Sequence, residues 1–224
     1  MIPLRDEIPT LRPPVVTYAL IVVNIVVFLF QILSGPYEES LVYQFALIPA
    51  NFYTGVGLGD LTDIFTSMFM HAGLAHIGGN MLYLWIFGDN VEDSMGRGRF
   101  LVFYLVGGLV ASLAHIFTNA NSVIPTVGAS GAIAAVLGAY LILFPQSRVL
   151  TLVPLGFFLR ITTIPAIFVL GLWFVLQLFQ GVLTIGGPDV GGVAFWAHIG
   201  GFVTGLVLAK ILGQPRRVEY YPRW

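Results

Sequence analysis

Apolar runs separated by short polar connections dominate this chain, at about 15–33, 74–87 with its flanks, 100–117, 128–144, 164–183 and 193–212. A helix needs about 20 such residues to cross the hydrocarbon core of a bilayer. The pattern therefore predicts an all-α membrane protein, a bundle of six transmembrane helices, with the second and fourth runs short or interrupted by glycine. It divides the chain into a short N-terminal segment (1–14), a helical domain (15–212) and a short tail (213–224).

Composition agrees with the pattern: 57% of residues are hydrophobic and 9% charged, where soluble domains carry roughly 25% charged residues. No soluble domain is expected. The first run follows Arg5 and Arg12 and could pass for a signal peptide, but it is long and no small-x-small cleavage site follows closely, so a retained span is predicted. The absence of cysteine excludes disulfides and thiolate metal sites.

Charge predicts the orientation. In a six-span arrangement Arg5, Arg12, Arg97, Arg99, Arg148, Arg160, Lys210, Arg216, Arg217 and Arg223 all fall on one side, while the opposite loops carry Glu38, Glu39, Asp60, Asp63 and Asp189. The positive-inside bias makes both termini cytoplasmic. The second, fourth and sixth spans then enter from the outer face.

Candidate chemistry lies near those three entries: His76 and Asn80 on the second span, Ser130 on the fourth and His198 on the sixth. Serine becomes a nucleophile when a base takes its proton, and histidine is the usual base. His76 and Asn80, at i and i+4, share one helix face and offer donors suited to an oxyanion, as does the backbone N–H of Ser130 at a helix N-terminus. Small residues at Ser130, Ala134 and Gly138, and at Ala197, Gly201 and Gly205, predict close packing of the fourth and sixth spans.

Several motifs in order, His71-x4-His76-x3-Asn80, Gly88-x3-Glu92-x3-Gly96, Gly128-Ala129-Ser130-Gly131 and Ala197-His198-x2-Gly201-x3-Gly205, resemble those of the rhomboid intramembrane serine proteases. The resemblance implies a six-helix fold that cleaves membrane-anchored substrates at or near their transmembrane segment with a Ser-His dyad. Ser130 would be the nucleophile and His198 the general base, with His76, Asn80 and the Ser130 amide as oxyanion hole. His71 would be a supporting group at the cavity mouth, and Glu92 a structural residue at the cytoplasmic side. The expected partners are transmembrane protein substrates and the lipid bilayer, with no cofactor, metal or nucleic acid. The compact core points to a prokaryotic plasma membrane, with the site towards the outer face.

The sequence departs from the family pattern in two places. An aromatic residue that often stacks on the catalytic imidazole is replaced by Ala134, and a Trp-Arg pair of the first outer loop aligns with Thr62 and Asp63. Phe202, one turn after His198, is a candidate to hold the ring instead, and a slot able to accept tyrosine is expected beside Ala134.

Taken singly, each polar residue has a structural reading: a membrane serine back-bonds to a carbonyl, and a histidine bonds a neighbouring helix. His115 and Asn24 keep such roles here, Asn24 as an interhelical hydrogen bond, and Asp189 reads as a solvated loop charge. A pseudoprotease that binds client helices, or a transporter, remains an alternative. The former typically lacks the serine or histidine, and the latter would set its polar groups near the midplane of internally repeated halves.

Overall fold

Each predicted apolar run forms a helix in the computed structural model, which describes residues 1–156, 158–185 and 192–214. They are α1 (Val15–Leu33), α5 (Leu74–Met95), α6 (Arg97–Thr118), α7 (Ser130–Leu143), α8 (Ala166–Leu183) and α9 (Phe195–Leu212). Short helices α2 (Glu38–Phe45), α3 (Asn51–Thr54) and α4 (Leu58–Thr66) fill the connection from α1 to α5. The Asp60 carboxylate accepts the Gly57 N–H at 2.7 Å and caps α4, so the loop that lacks the Trp-Arg pair is nonetheless ordered by local bonds.

Helices α1, α6, α8 and α9 are each long and apolar enough to cross a bilayer, and the chain is a multi-pass membrane protein. Helix α5 has the length but carries Asp89, Glu92 and Asp93 near its end, and α7 has only 14 residues. From Gly131 to Tyr140 every residue of α7 is buried. A helix apolar all round belongs in an interior, and α7 lies among α5, α6 and α9. Helices α1 and α8 instead expose large apolar side chains, Val22, Val26 and Phe30 on one and Phe168, Val175 and Phe179 on the other, as lipid-facing helices do.

The expected all-α class needs correction. Strands β1 (Ile2–Asp6), β2 (Arg148–Leu155) and β3 (Phe158–Pro165) form an antiparallel sheet in the order β1-β2-β3. Ile2 lies opposite Leu152, Asp6 opposite Val149, and Val149 opposite Ile164. Branched residues at Val149, Thr151, Val153 and at 161–164 suit a pleated strand. The fifth apolar run therefore begins as strand, and α8 starts only after Pro165. The sheet meets the bundle at Asp6, whose carboxylate accepts bonds from the Tyr140 hydroxyl of α7 at 2.6 Å and from Asn90 Nδ2 of α5 at 2.8 Å.

Helix α1 begins behind Pro14 with no cap of its own. The cap comes from α5: the Glu92 carboxylate accepts Val16 N–H at 3.0 Å, Thr17 N–H at 2.7 Å and the Thr17 hydroxyl at 2.8 Å. An anion there satisfies unpaired amides and faces the positive end of the helix dipole. This agrees with the structural role expected of Glu92, which is only 2% exposed. Glu92→Ala should cost about 3 kcal/mol, because buried amides lose a charged acceptor; a marked drop in melting temperature in detergent would register it, and an unchanged one would contradict the capping role. Asn24 donates to the Leu20 carbonyl one turn back on its own helix, at 2.7 Å, and its side chain also meets the Tyr104 hydroxyl of α6, the helix contact expected of it.

Candidate active site

Ser130 is the first residue of α7, reached through a sharp turn. Gly128 has φ +132°, a conformation that side-chain-bearing residues rarely adopt. A Cβ there would stand 2.8 Å from His76 Cε1 and Nε2 and 3.7 Å from Asn80 Nδ2. The missing side chain is thus what lets α5 bring both groups against the strand of chain leading to Ser130.

On α9 the His198 Nε2 lies 2.8 Å from Ser130 Oγ. Its Nδ1 lies 2.7 Å from Gln177 Oε1 on α8. An amide oxygen only accepts, so Nδ1 carries the hydrogen and Nε2 presents its lone pair to the serine hydroxyl. That is the tautomer a general base requires.

The contact follows from how α7 meets α9. A Cβ on Gly201 would fall 2.1 Å from the Gly131 carbonyl oxygen, one on Gly205 2.0 Å from that of Ala135, and one on Gly138 2.2 Å from that of Phe202. The two backbones touch directly. The expected ridges meet on both helices: on α7 the Ser130 hydroxyl reaches His198, Ala134 Cβ lies 3.3 Å from a Cβ placed on Gly201, and Gly138 abuts Phe202, with the Gly131 and Ala135 carbonyls beside them.

Two further expectations fail. Trp173, one turn before Gln177 on α8, packs on the imidazole with ring centroids 5.6 Å apart, so the aromatic support comes from α8. Phe202 stacks on Phe174 at 4.4 Å and stands behind Trp173 at 6.0 Å. Nor is there a slot beside Ala134, which is 1% exposed and belongs to the packed core. A tyrosine there would overpack the seam.

His76 and Asn80 project together from α5 as their spacing predicted. The Ala72 N–H donates to His76 Nδ1 at 3.3 Å, which leaves the hydrogen of the neutral ring on Nε2, the atom beside Gly128. Asn80 Nδ2 is buried with no hydrogen-bond partner, a costly state that an incoming acceptor would relieve. His71 lies in the turn before α5 and is itself buried, at 1% exposure, although it borders a surface cavity with Glu38, Glu39 and Val127. Its ring meets that of His76 edge-on at 5.1 Å. Gln31 of α1 clamps its backbone, accepting the His71 N–H at 3.0 Å and donating to the His71 carbonyl at 3.3 Å.

Behind Ser130 lies a cavity of about 30 Å³ lined in part by Ser67, Ser112, His115 and Thr126, polar and roomy enough for water. His115 ties α6 to the segment before α7 through Thr126 Oγ1 at 2.9 Å, in keeping with a structural role. Asp189 lies outside the described residues. Sequence reasoning missed Gln31, Trp173 and Gln177; the available signal was two glutamines inside apolar runs, since a buried amide must find partners.

Known proteins resemble this chain over most of its length. A family profile described as the Rhomboid domain matches residues 58–215. Rhomboid protease GluP of Bacillus subtilis is 32% identical over 204 residues, covering 91% of this chain and 36% of that protein. The mitochondrial Rhomboid protein 1 of Saccharomyces cerevisiae is 27% identical, covering 95% of this chain and 59% of that protein. The putative rhomboid protease YdcA of Bacillus subtilis is 30% identical over 57% of the chain and 61% of its own length. The chain thus spans little more than a third of the first relative and about three-fifths of the other two. With most of its length matched by that profile, the chain belongs to the rhomboid family.

Proposed function

We propose that the chain is an intramembrane serine endopeptidase that hydrolyses peptide bonds in or near the transmembrane segments of membrane-protein substrates. The observation that carries this reading is the 2.8 Å contact of Ser130 Oγ with His198 Nε2, made in the tautomer that accepts the serine proton.

As Ser130 Oγ bonds to the scissile carbonyl carbon, its proton passes to His198 Nε2. Charge develops on the carbonyl oxygen, where the His76 Nε2–H, Asn80 Nδ2–H and Ser130 N–H serve as donors. Collapse expels the amine, which takes the proton from His198. Water, deprotonated by the same ring, then hydrolyses the acyl-enzyme and frees Ser130. His71 supports this set from beside His76 without touching the reacting atoms.

In this reading α1, α5, α6, α7, α8 and α9 are six spans with both termini cytoplasmic. Tyr140, towards the C-terminal end of α7, bonds Asp6 in the sheet that also carries Arg5, Arg148 and Arg160, so Ser130 lies at the end away from these basic residues. At 1.5 Å per residue a helix of 14 residues falls roughly 10 Å short of the hydrocarbon core. A nucleophile at its outer end would sit below the membrane surface, level with a substrate helix.

A fluorophosphonate probe applied to the detergent-solubilised protein tests the function: adduct at Ser130 is expected, and its absence would count against the dyad. For the oxyanion donors, His76→Ala and Asn80→Ala should each lower kcat roughly 10²- to 10³-fold with KM little changed, because the charge they stabilise exists only in the transition state. A rise in KM alone would make either residue a substrate contact.

A further inference from the structure

We propose that Gln177 is the positioning residue of the His198 base, a neutral third member that completes the dyad from α8. The inference rests on the dyad reading above. Gln177 is the buried member of an otherwise half-buried or exposed stretch from Gly171 to Gln180, and it is 8% exposed while Gln180, three residues on, is open. An amide that could reach the membrane exterior is instead turned inward, with Oε1 2.7 Å from His198 Nδ1. Trp173, at i−4 on the same face, covers the ring. Helix α8 thus supplies both contacts that set the orientation of the imidazole, one polar and directional, the other apolar and broad.

The chemistry explains why an amide suits this place. The base must be neutral before attack, with hydrogen on Nδ1, and the ring must bear a positive charge once it holds the serine proton. A carboxylate at that position would raise the proton affinity of the ring, so that less of the neutral base is present at low pH, and would itself be costly to desolvate. The Gln177 carbonyl dipole fixes the same tautomer without a charge, and its bond strengthens when the ring becomes cationic. The other titratable side chains facing His198 are His76 of α5 and His115 of α6, and neither can supply an anion.

The test compares Gln177→Leu and Gln177→Glu with the wild-type chain, reconstituted in phosphatidylcholine vesicles with a single-span fluorogenic substrate. Leucine should lower kcat roughly 10- to 100-fold with KM unchanged, the signature of a group acting on the base. Glutamate should restore much of the rate and move the acid limb of the kcat–pH profile upward by about one unit or more, because an adjacent carboxylate favours the imidazolium. A purely structural glutamine would give neither the split nor the shift. Wild-type kcat in the leucine variant overturns the proposal, and so does a glutamate variant whose acid limb has not moved; the latter decides alone if leucine impairs folding. Cleavage that persists in Ser130→Ala would overturn the dyad itself, and is read separately in the same vesicles.

Discussion

Ser130→Ala should abolish cleavage of every transmembrane substrate, with kcat reduced at least roughly 10⁴-fold, while the protein still folds. The hydroxyl sits at the first position of α7 with its hydrogen bond directed to His198, so removing one oxygen leaves the helix and the seam unaltered. His198→Ala should be about as inactive, and the double variant no worse than either, because members of one catalytic unit fail together. The two differ in stability. Removing the imidazole strands Gln177 Oε1 and opens a hole under Trp173, so the histidine variant should also melt earlier by an amount corresponding to about 1–3 kcal/mol. Wild-type cleavage by a clean Ser130→Ala preparation would remove Ser130 from the mechanism.

Gly201→Val is the second large expected loss. The first added carbon would lie 2.1 Å from the Gly131 carbonyl oxygen and 3.3 Å from Ala134 Cβ, where even close Cα–H···O contacts keep about 3.3 Å. Backbone on the far side cannot rotate away as a side chain could, so the helices must separate. Activity should fall at least 10²-fold, in keeping with the sensitivity of catalysis to displacements of about 1 Å, and stability by about 1–3 kcal/mol, as for other overpacked sites. Gly171→Ala on α8, where a Cβ meets nothing within 4 Å, is the matched control and should remain active. An active Gly201→Val protein would show that close backbone packing is not what brings His198 to Ser130.

Much of this was legible before any coordinates. The six apolar runs are helices because their composition leaves few other ways to satisfy a backbone in lipid, and Ser130, His198, His76 and Asn80 stand out because polar groups are rare in such runs. The sheet was not legible, since β3 runs straight into an apolar helix that masks its period. Nor could the support of His198 be read. Trp173 and Gln177 share a face at i and i+4, but the face presented to α9 depends on the rotation of α8 about its axis, which only packing determines.

The seam of α7 and α9 also has an entropic consequence. Gly131, Ala135, Gly138, Gly201 and Gly205 have no side-chain rotamers to freeze, so docking these helices forfeits none of the roughly 1–2 kcal/mol that immobilising a long side chain can cost. Backbone against backbone also leaves no intervening side chains whose torsional hopping could lengthen the path between nucleophile and base. The Ser130–His198 distance should accordingly vary little with temperature up to the melting point, and warming should slow the proposed cleavage by unfolding the protein rather than by gradually loosening this contact.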